Sequence, residues 1–122
     1  MNNPVNWFEI YVQDMSRAKR FYQQVLGVEL SKLEAGDLDM WAFPMQRGGP
    51  GASGSLVRMA GVPSGGNSII VYFSCADCAV EAGRVKQAGG SVHREKMSIG
   101  PYGFIALAVD TEGNMFGLHS MQ

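Results

Sequence analysis

The chain repeats its own plan at a fixed distance, and this repeat limits its possible folds more than any other feature. Two aspartates, Asp14 and Asp77, each stand between a strand-like apolar run and a helical pattern, 63 residues apart (77 − 14 = 63). The glycines at which the two helices are predicted to end, Gly27 and Gly90, keep the same separation. A chain of 122 residues with this internal offset is predicted to contain two copies of one supersecondary module.

Each module is predicted to run in the order strand, helix and three strands. Apolar residues at helical spacing give the first helix a stripe of Ala18, Phe21, Tyr22 and Val25, and give the second a smaller stripe of Ala82, Val85 and Ala88. The predicted strands are Trp7–Val12, Val28–Leu33, Met40–Pro44 and Ser53–Met59, then Ile69–Phe73, Ser91–Arg94, Tyr102–Val109 and Met115–Ser120. We therefore expect an α+β fold in which two βαβββ modules form a cupped mixed sheet with helices on its outer face. The modules comprise residues 1–60 and 67–122, and a glycine-rich linker spans 61–66.

Composition excludes several classes of partner. The net charge is −1 and no basic cluster exceeds a pair, which argues against nucleic acid. No apolar run approaches the roughly 20 residues that cross a bilayer, so no membrane is expected. The only cysteines, Cys75 and Cys78, lack the second pair of a zinc site and are predicted to be incidental, which favours the cytoplasm. Because one module alone is too small to cover its sheet, a homodimer is expected, and exchange of modules between chains is one way to form it.

Two motifs give the chain a family resemblance. The segment from Asp14 to Gly27, Asp-Met-Ser-Arg-Ala-Lys-Arg-Phe-Tyr-Gln-Gln-Val-Leu-Gly, together with Asp110-Thr-Glu-Gly-Asn-Met-Phe-Gly-Leu118, resembles the vicinal oxygen chelate superfamily. That superfamily contains glyoxalase I, extradiol dioxygenases and the bleomycin- and fosfomycin-resistance proteins. The resemblance covers nearly the whole chain and implies a concave sheet face that holds the ligand.

The resemblance also implies where a divalent metal would bind, and this sequence departs from it there. Catalytic members place His, Glu or Gln ligands on the first and last strands of both modules, since these side chains supply lone pairs to the cation. The corresponding positions are Trp7, Ile70 and Gly117, and the fourth falls within Ser53–Met59, which has no such residue. We therefore predict no metal and no other cofactor. A divalent metal bound off this pattern is the alternative.

Strand alternation then selects the residues that face the cleft. If Trp7 faces it, Glu9 and Tyr11 share that face, because side chains alternate along a strand. By the same parity Tyr72, Ser74, Gly117 and His119 face the cleft from the second module, and a turn brings Tyr102 near it. The predicted ligand-binding residues are Trp7, Glu9, Tyr11, Tyr72, Ser74, Tyr102 and Gly117. Glu9 and His119 are the candidate catalytic pair, as general base and acid.

Three functions fit these residues. The first is a metal-independent protein of the glyoxalase/bleomycin-resistance type that binds a small aromatic or amphipathic molecule. The second is an enzyme, which would be a lyase, an isomerase or a dioxygenase-type protein with Glu9 as base or an off-pattern metal. The third is a module that binds another protein in its groove. The fold alone does not choose among them.

Overall fold

The computed structural model describes residues 3–122, so the first two residues of the predicted first module lie outside the described part. The first module contains β1 (Trp7–Tyr11), α1 (Met15–Leu26), β2 (Ser31–Lys32), β3 (Asp39–Ala42) and β4 (Ser53–Arg58). The second contains β5 (Tyr72–Ser74), α2 (Cys78–Ala82), β6 (Ser91–Ser98), β7 (Phe104–Val109) and β8 (Met115–Ser120), with a 3₁₀ turn at Gly100–Tyr102.

Both modules have the same topology. The strand order is β1-β4-β3-β2 in one four-stranded sheet and β5-β8-β7-β6 in the other. In each sheet the first pair is parallel and the other pairs are antiparallel. The predicted α+β fold of two βαβββ modules is confirmed, and each module carries its own mixed sheet.

Helix α1 begins and ends where the sequence predicts. The Asp14 carboxylate accepts a hydrogen bond from the Arg17 amide at 3.1 Å, which satisfies a free N–H of the first turn. Gly27 closes the helix in the left-handed region, with φ 67°, and donates to the Gln23 carbonyl. The whole predicted apolar stripe is buried.

Helix α2 is shorter than predicted. Asp77 caps it as expected, but regular helix stops at Ala82 rather than at Gly90, and the chain continues as hydrogen-bonded turns. Ala82 and Val85 are nevertheless buried, so the predicted stripe reaches the core through turns rather than through a regular helix.

Strand β5 also differs from its prediction. It covers Tyr72–Ser74 instead of Ile69–Phe73, because the preceding segment does not pair with β8 along its whole length. At Met115, where β8 begins, the Asn67 side chain takes the place of a neighbouring strand: its Oδ1 accepts from the Met115 amide at 3.0 Å, and its Nδ2 donates to the Met115 carbonyl at 3.0 Å.

One hydrophobic core joins the two modules. Tyr22 of α1 is fully buried, and its ring lies within 6 Å of Phe43 from the first module and of Phe73 and Phe116 from the second. The first sheet packs on α1 and the second on α2, while Phe116 also contacts the α1 rings of Phe21 and Tyr22. The opposite faces of both sheets therefore remain available for other contacts. Across residues 3–122, no helix has both the length and the apolar character needed to cross a membrane.

Candidate functional site

A groove of about 670 Å³ lies between the free edge of β1 and the segment that leads into β5. Trp7, Glu9 and Tyr11 form one wall, and Tyr72 with the residues before it forms the other. The groove has the size of a small-molecule site, in which apolar and aromatic rings usually surround a few polar groups. Four of the predicted ligand-binding residues therefore line one cavity.

Glu9 is held between its two aromatic neighbours. The Trp7 indole N–H donates to Glu9 Oε2 at 3.3 Å, and the Tyr11 hydroxyl donates to Oε1 at 3.0 Å. All three side chains stand on one face of β1, as the alternation of the strand predicts. The hydrogen bond to Glu9 raises the pKa of the Tyr11 phenol, since it stabilises the protonated donor. Tyr11 therefore remains a donor at neutral pH.

The repeat allows the two walls to be compared position by position. Glu9 pairs with Ser55 across β1 and β4, and the residues at the corresponding places in the second module, Tyr72 and Gly117, pair across β5 and β8. The first module thus has a polar pair where the second has an aromatic ring beside a glycine. The register also shows that Ser55 is the first-module counterpart of Gly117. The sequence alone placed this counterpart only somewhere within Ser53–Met59.

Gly117 provides the space in which the Tyr72 ring lies. A Cβ atom at Gly117 would stand 2.3 Å from Tyr72 Cδ1 and Cε1, well inside van der Waals contact. The tyrosine side chain is partly exposed, at 46%, with its ring against the backbone of β8. Any larger residue at Gly117 would displace the ring and change the shape of that groove wall.

The other predicted site residues lie outside the groove lining. Ser74 pairs with His119 in register, and His119 Nε2 lies 2.7 Å from the Tyr102 carbonyl oxygen. These three residues form a second group beyond Gly117, at the far end of the sheet. Among the described residues, no hydrogen bond joins Glu9 to His119, and each has other partners. Their catalytic roles stay predictions.

Residues of the linker between the modules, which the sequence did not predict as site residues, also line the groove. The linker residues Pro63, Ser64 and Gly65, together with Asn67, line the groove. The Ser64 hydroxyl donates to the Glu112 carbonyl at 2.6 Å, and the Gly65 amide donates to Asn114 Oδ1 at 2.7 Å. A linker held in this way belongs to the site, although its glycine-rich composition indicates only flexibility.

A buried carboxylate fixes the first module to the second at one end of the groove. Glu112 Oε1 accepts from the backbone amides of Gln13 and Asp14, both at 2.9 Å, and Arg17 Nε donates to Oε2 at 2.7 Å. The Glu112 side chain is fully buried. Burial alone would raise its pKa, but the hydrogen bonds, foremost that from Arg17, outweigh burial and lower the pKa to about 2.

The neighbouring residues of the same loop extend this junction. Asp110 Oδ2 accepts from the Tyr22 hydroxyl at 2.6 Å, and Asn114 Nδ2 donates to the Tyr11 carbonyl at 3.0 Å. Burial raises the pKa of Asp110 despite these donors, and it raises that of Tyr22 still further above its usual range. The motif Asp-x-Glu-Gly-Asn therefore acts here as a clamp between modules, and it positions Tyr11 in the groove wall.

The residues at the implied metal positions do not fit a metal. Trp7, Ile70, Ser55 and Gly117 offer no imidazole, carboxylate or carboxamide, and the Tyr72 ring covers Gly117. Within residues 3–122, no three His, Cys, Asp or Glu side chains are grouped as ligands for a metal ion.

The two cysteines do not form a reactive pair in this structure. Both are free thiols, Cys78 is buried and Cys75 is half-buried. Burial, with the nearby Glu81 carboxylate, raises the pKa of Cys75 to about 12. Redox cysteines need the opposite shift, because the thiolate is the nucleophile.

Comparison with known proteins gives one family match and many similar folds. The family model described as the Glyoxalase/Bleomycin resistance protein/Dioxygenase superfamily matches residues 5–118. No protein among those with curated descriptions matches the chain.

Among solved structures, a glyoxalase I variant from Zea mays superposes with a TM-score of 0.75 at 23% identity. That match covers 97% of this chain and 46% of the maize chain, so this chain spans about half of it. TnmS3, an antibiotic binding protein from Streptomyces sp. CB03234, gives a TM-score of 0.68 at 25% identity and covers 98% of this chain and 96% of its own. A glyoxalase/bleomycin resistance protein from Albidiferax ferrireducens T118 gives a TM-score of 0.67 at 17% identity, and the match covers 95% of this chain and 98% of that chain.

Proposed function

Because the chain belongs to the glyoxalase/bleomycin resistance protein/dioxygenase superfamily, we propose that it binds a small aromatic or amphipathic molecule in the groove without a metal. The observation that carries the proposal is the groove itself. Its walls are largely aromatic and apolar, and the implied metal positions hold residues that cannot ligate. TnmS3, an antibiotic binding protein, matches nearly all of this chain and nearly all of its own length, which adds support.

The two tryptophans allow a direct test of this proposal. Trp7 lines the groove, whereas Trp41 lies on the other face of its sheet with Lys19 Nζ 3.2 Å from its ring centroid. In a Trp41→Phe variant, Trp7 is the only indole, so its fluorescence reports on the groove. We expect planar aromatic compounds to change this fluorescence and to raise Tm in the presence of EDTA. We expect Trp7→Ala to weaken binding by at least about tenfold, because an aromatic wall is lost.

The matched control is Trp41→Phe itself, which removes an indole of the same type outside the groove and should bind as the wild type does. The proposal fails if a broad panel of planar and amphipathic compounds leaves both fluorescence and Tm unchanged. It also fails if binding requires an added divalent metal that EDTA removes.

An enzyme is the alternative that one observation favours. Glu9 is an exposed carboxylate inside the groove and is oriented by two donors, as a general base would be. Turnover of a bound compound that disappears in Glu9→Gln while binding persists would favour a lyase or isomerase over simple binding.

We also propose that the chain works as a homodimer in the cytoplasm. The front face of the second sheet carries Ile105, Leu107 and Val109, which are only partly buried, and exposed Tyr72 and Met97 stand on the same face. A second copy would cover this apolar face. Sedimentation equilibrium giving a single species of 13.2 kDa would contradict the dimer. The free thiols agree with a reducing compartment.

A further inference from the structure

The two walls of the groove differ in charge as well as in shape. Of the described residues that line the groove, Glu9 is the only charged one, and none of them is lysine, arginine or histidine. The opposite wall presents the Tyr72 ring, whose place is kept by Gly117. A ligand in the groove would therefore meet one negative charge on one side and an aromatic ring on the other.

The charge of Glu9 has no cationic partner among residues 3–122. Ion pairs in that part of the chain join Arg17 to Glu112 and Lys96 to Asp77, and neither involves Glu9. Its described hydrogen-bond donors are the neutral groups of Trp7 and Tyr11, one on each oxygen. A carboxylate has about four lone-pair sites, so two donors leave acceptor capacity for a ligand.

A second polar group beside Glu9 also lacks a partner. Ser55, the cross-strand neighbour of Glu9, is 0% exposed, and its hydroxyl oxygen makes no hydrogen bond within the described residues. The Ser55 oxygen is buried and Ser55 does not line the groove, so Glu9 is the residue of this cross-strand pair that a ligand can reach.

We propose that the ligand carries a protonated amine on an aromatic body, and that the ammonium group binds at Glu9. This inference rests on the proposed function and specifies its ligand class. An ammonium group donates to the free lone pairs of the carboxylate in charge-assisted hydrogen bonds. The aromatic body then packs toward Tyr72. An anionic ligand would meet the Glu9 carboxylate and, among the described lining residues, no compensating cation.

Three naphthalene compounds of matched size test the proposal. They are 1-naphthylmethylamine, 1-naphthalenemethanol and 1-naphthoate, which are cationic, neutral and anionic at pH 7. By titration calorimetry on the full chain, we expect the amine to bind at least tenfold tighter than the alcohol, and the carboxylate to bind weakest. The preference for the amine over the alcohol should decrease as salt is raised, because the attraction involves an exposed carboxylate.

Two variants show whether Glu9 causes the preference. Glu9→Gln should reduce the amine-to-alcohol affinity ratio to about one. Glu29→Gln, which makes the same change at an exposed carboxylate outside the groove, should keep the wild-type ratio. Circular dichroism and Tm establish that each variant is folded.

The outcomes separate this inference from the proposed function. If the alcohol binds as tightly as the amine, or if the amine preference survives in Glu9→Gln, the cationic ligand is overturned while groove binding stands. If none of the three compounds binds at millimolar concentration, and the wider panel tested above also fails, the proposed function falls and this inference falls with it.

Discussion

Replacing Glu112 with glutamine is expected to lower the free energy of unfolding by about 3 kcal/mol. The glutamine amide would place N–H groups toward the Arg17 guanidinium, which now donates to both carboxylate oxygens at 2.7 and 3.0 Å. The backbone donors of Gln13 and Asp14 would also lose a charged acceptor. We expect Tm to fall by about 10 °C for a domain of this size. Glu29→Gln is the control, since Glu29 is exposed and should change Tm by little.

The stability lost in Glu112→Gln should become smaller as the pH is lowered. The pKa of Glu112 falls from 4.5 to about 2 on folding, so the unfolded chain takes up the proton first as pH decreases. The contribution of Glu112 is fully present above pH 4.5 and disappears as the pH falls toward 2, a difference of about 3 kcal/mol. The stability gap between wild type and Glu112→Gln should therefore close over that range. A gap that is small at pH 7, or constant from pH 7 to pH 3, would contradict the role of this carboxylate.

Replacing Gly54 with alanine is expected to destabilise the protein by about 3 kcal/mol, at the upper end of overpacking in a core. A Cβ atom there would stand 2.2 Å from the Phe8 carbonyl oxygen and 2.6 Å from the Phe8 ring. The obstacle is backbone within the parallel pair β1–β4, where Phe8 and Gly54 are partners, so one side-chain rotation cannot relieve it. Urea unfolding measures the change directly.

Gly117→Ala is the matched comparison for Gly54→Ala. It also creates a close contact, but with the ring of Tyr72, which is partly exposed and can turn away. We expect a loss of no more than about 1 kcal/mol and a measurable change in ligand affinity. Equal destabilisation by the two alanines would show that the Tyr72 ring is fixed rather than adjustable.

The sequence predicted the architecture well because the features that define the repeat depend on residues close together in the chain. Asp14 and Gly27 specify the ends of α1 through caps that involve only neighbouring residues. Alternation along β1 likewise places Trp7, Glu9 and Tyr11 on one face and Phe8 and Ile10 toward the core, although β1 is an edge strand and residues of both faces line the groove. In both cases the residues of one short segment are enough to determine the local structure.

The failures arise where distant residues decide the outcome. Regular helix in α2 stops at Ala82, and the turns beyond it lead to Gly90, where the chain passes so close to Phe21 that a Cβ atom would lie 2.6 Å from its ring. The start of β5 is displaced by the Asn67 side chain, which pairs with Met115. Neither contact follows from local pattern. The role of Glu112 as a clamp is likewise invisible, because its partners lie about a hundred positions earlier in the chain.

The clamp has a consequence for synthesis of the chain on the ribosome. Glu112 accepts from the Asp14 amide at the start of α1, and Asn114 donates to the Tyr11 carbonyl, so the first module lacks these buried polar partners until residues 112–114 have emerged. Contacts between residues so far apart in sequence slow folding, because the chain loses the entropy of closing the long loop before the contact stabilises it. We expect the N-terminal half to remain open and accessible to chaperones or proteases during translation, and to become protected only when the last two strands are released.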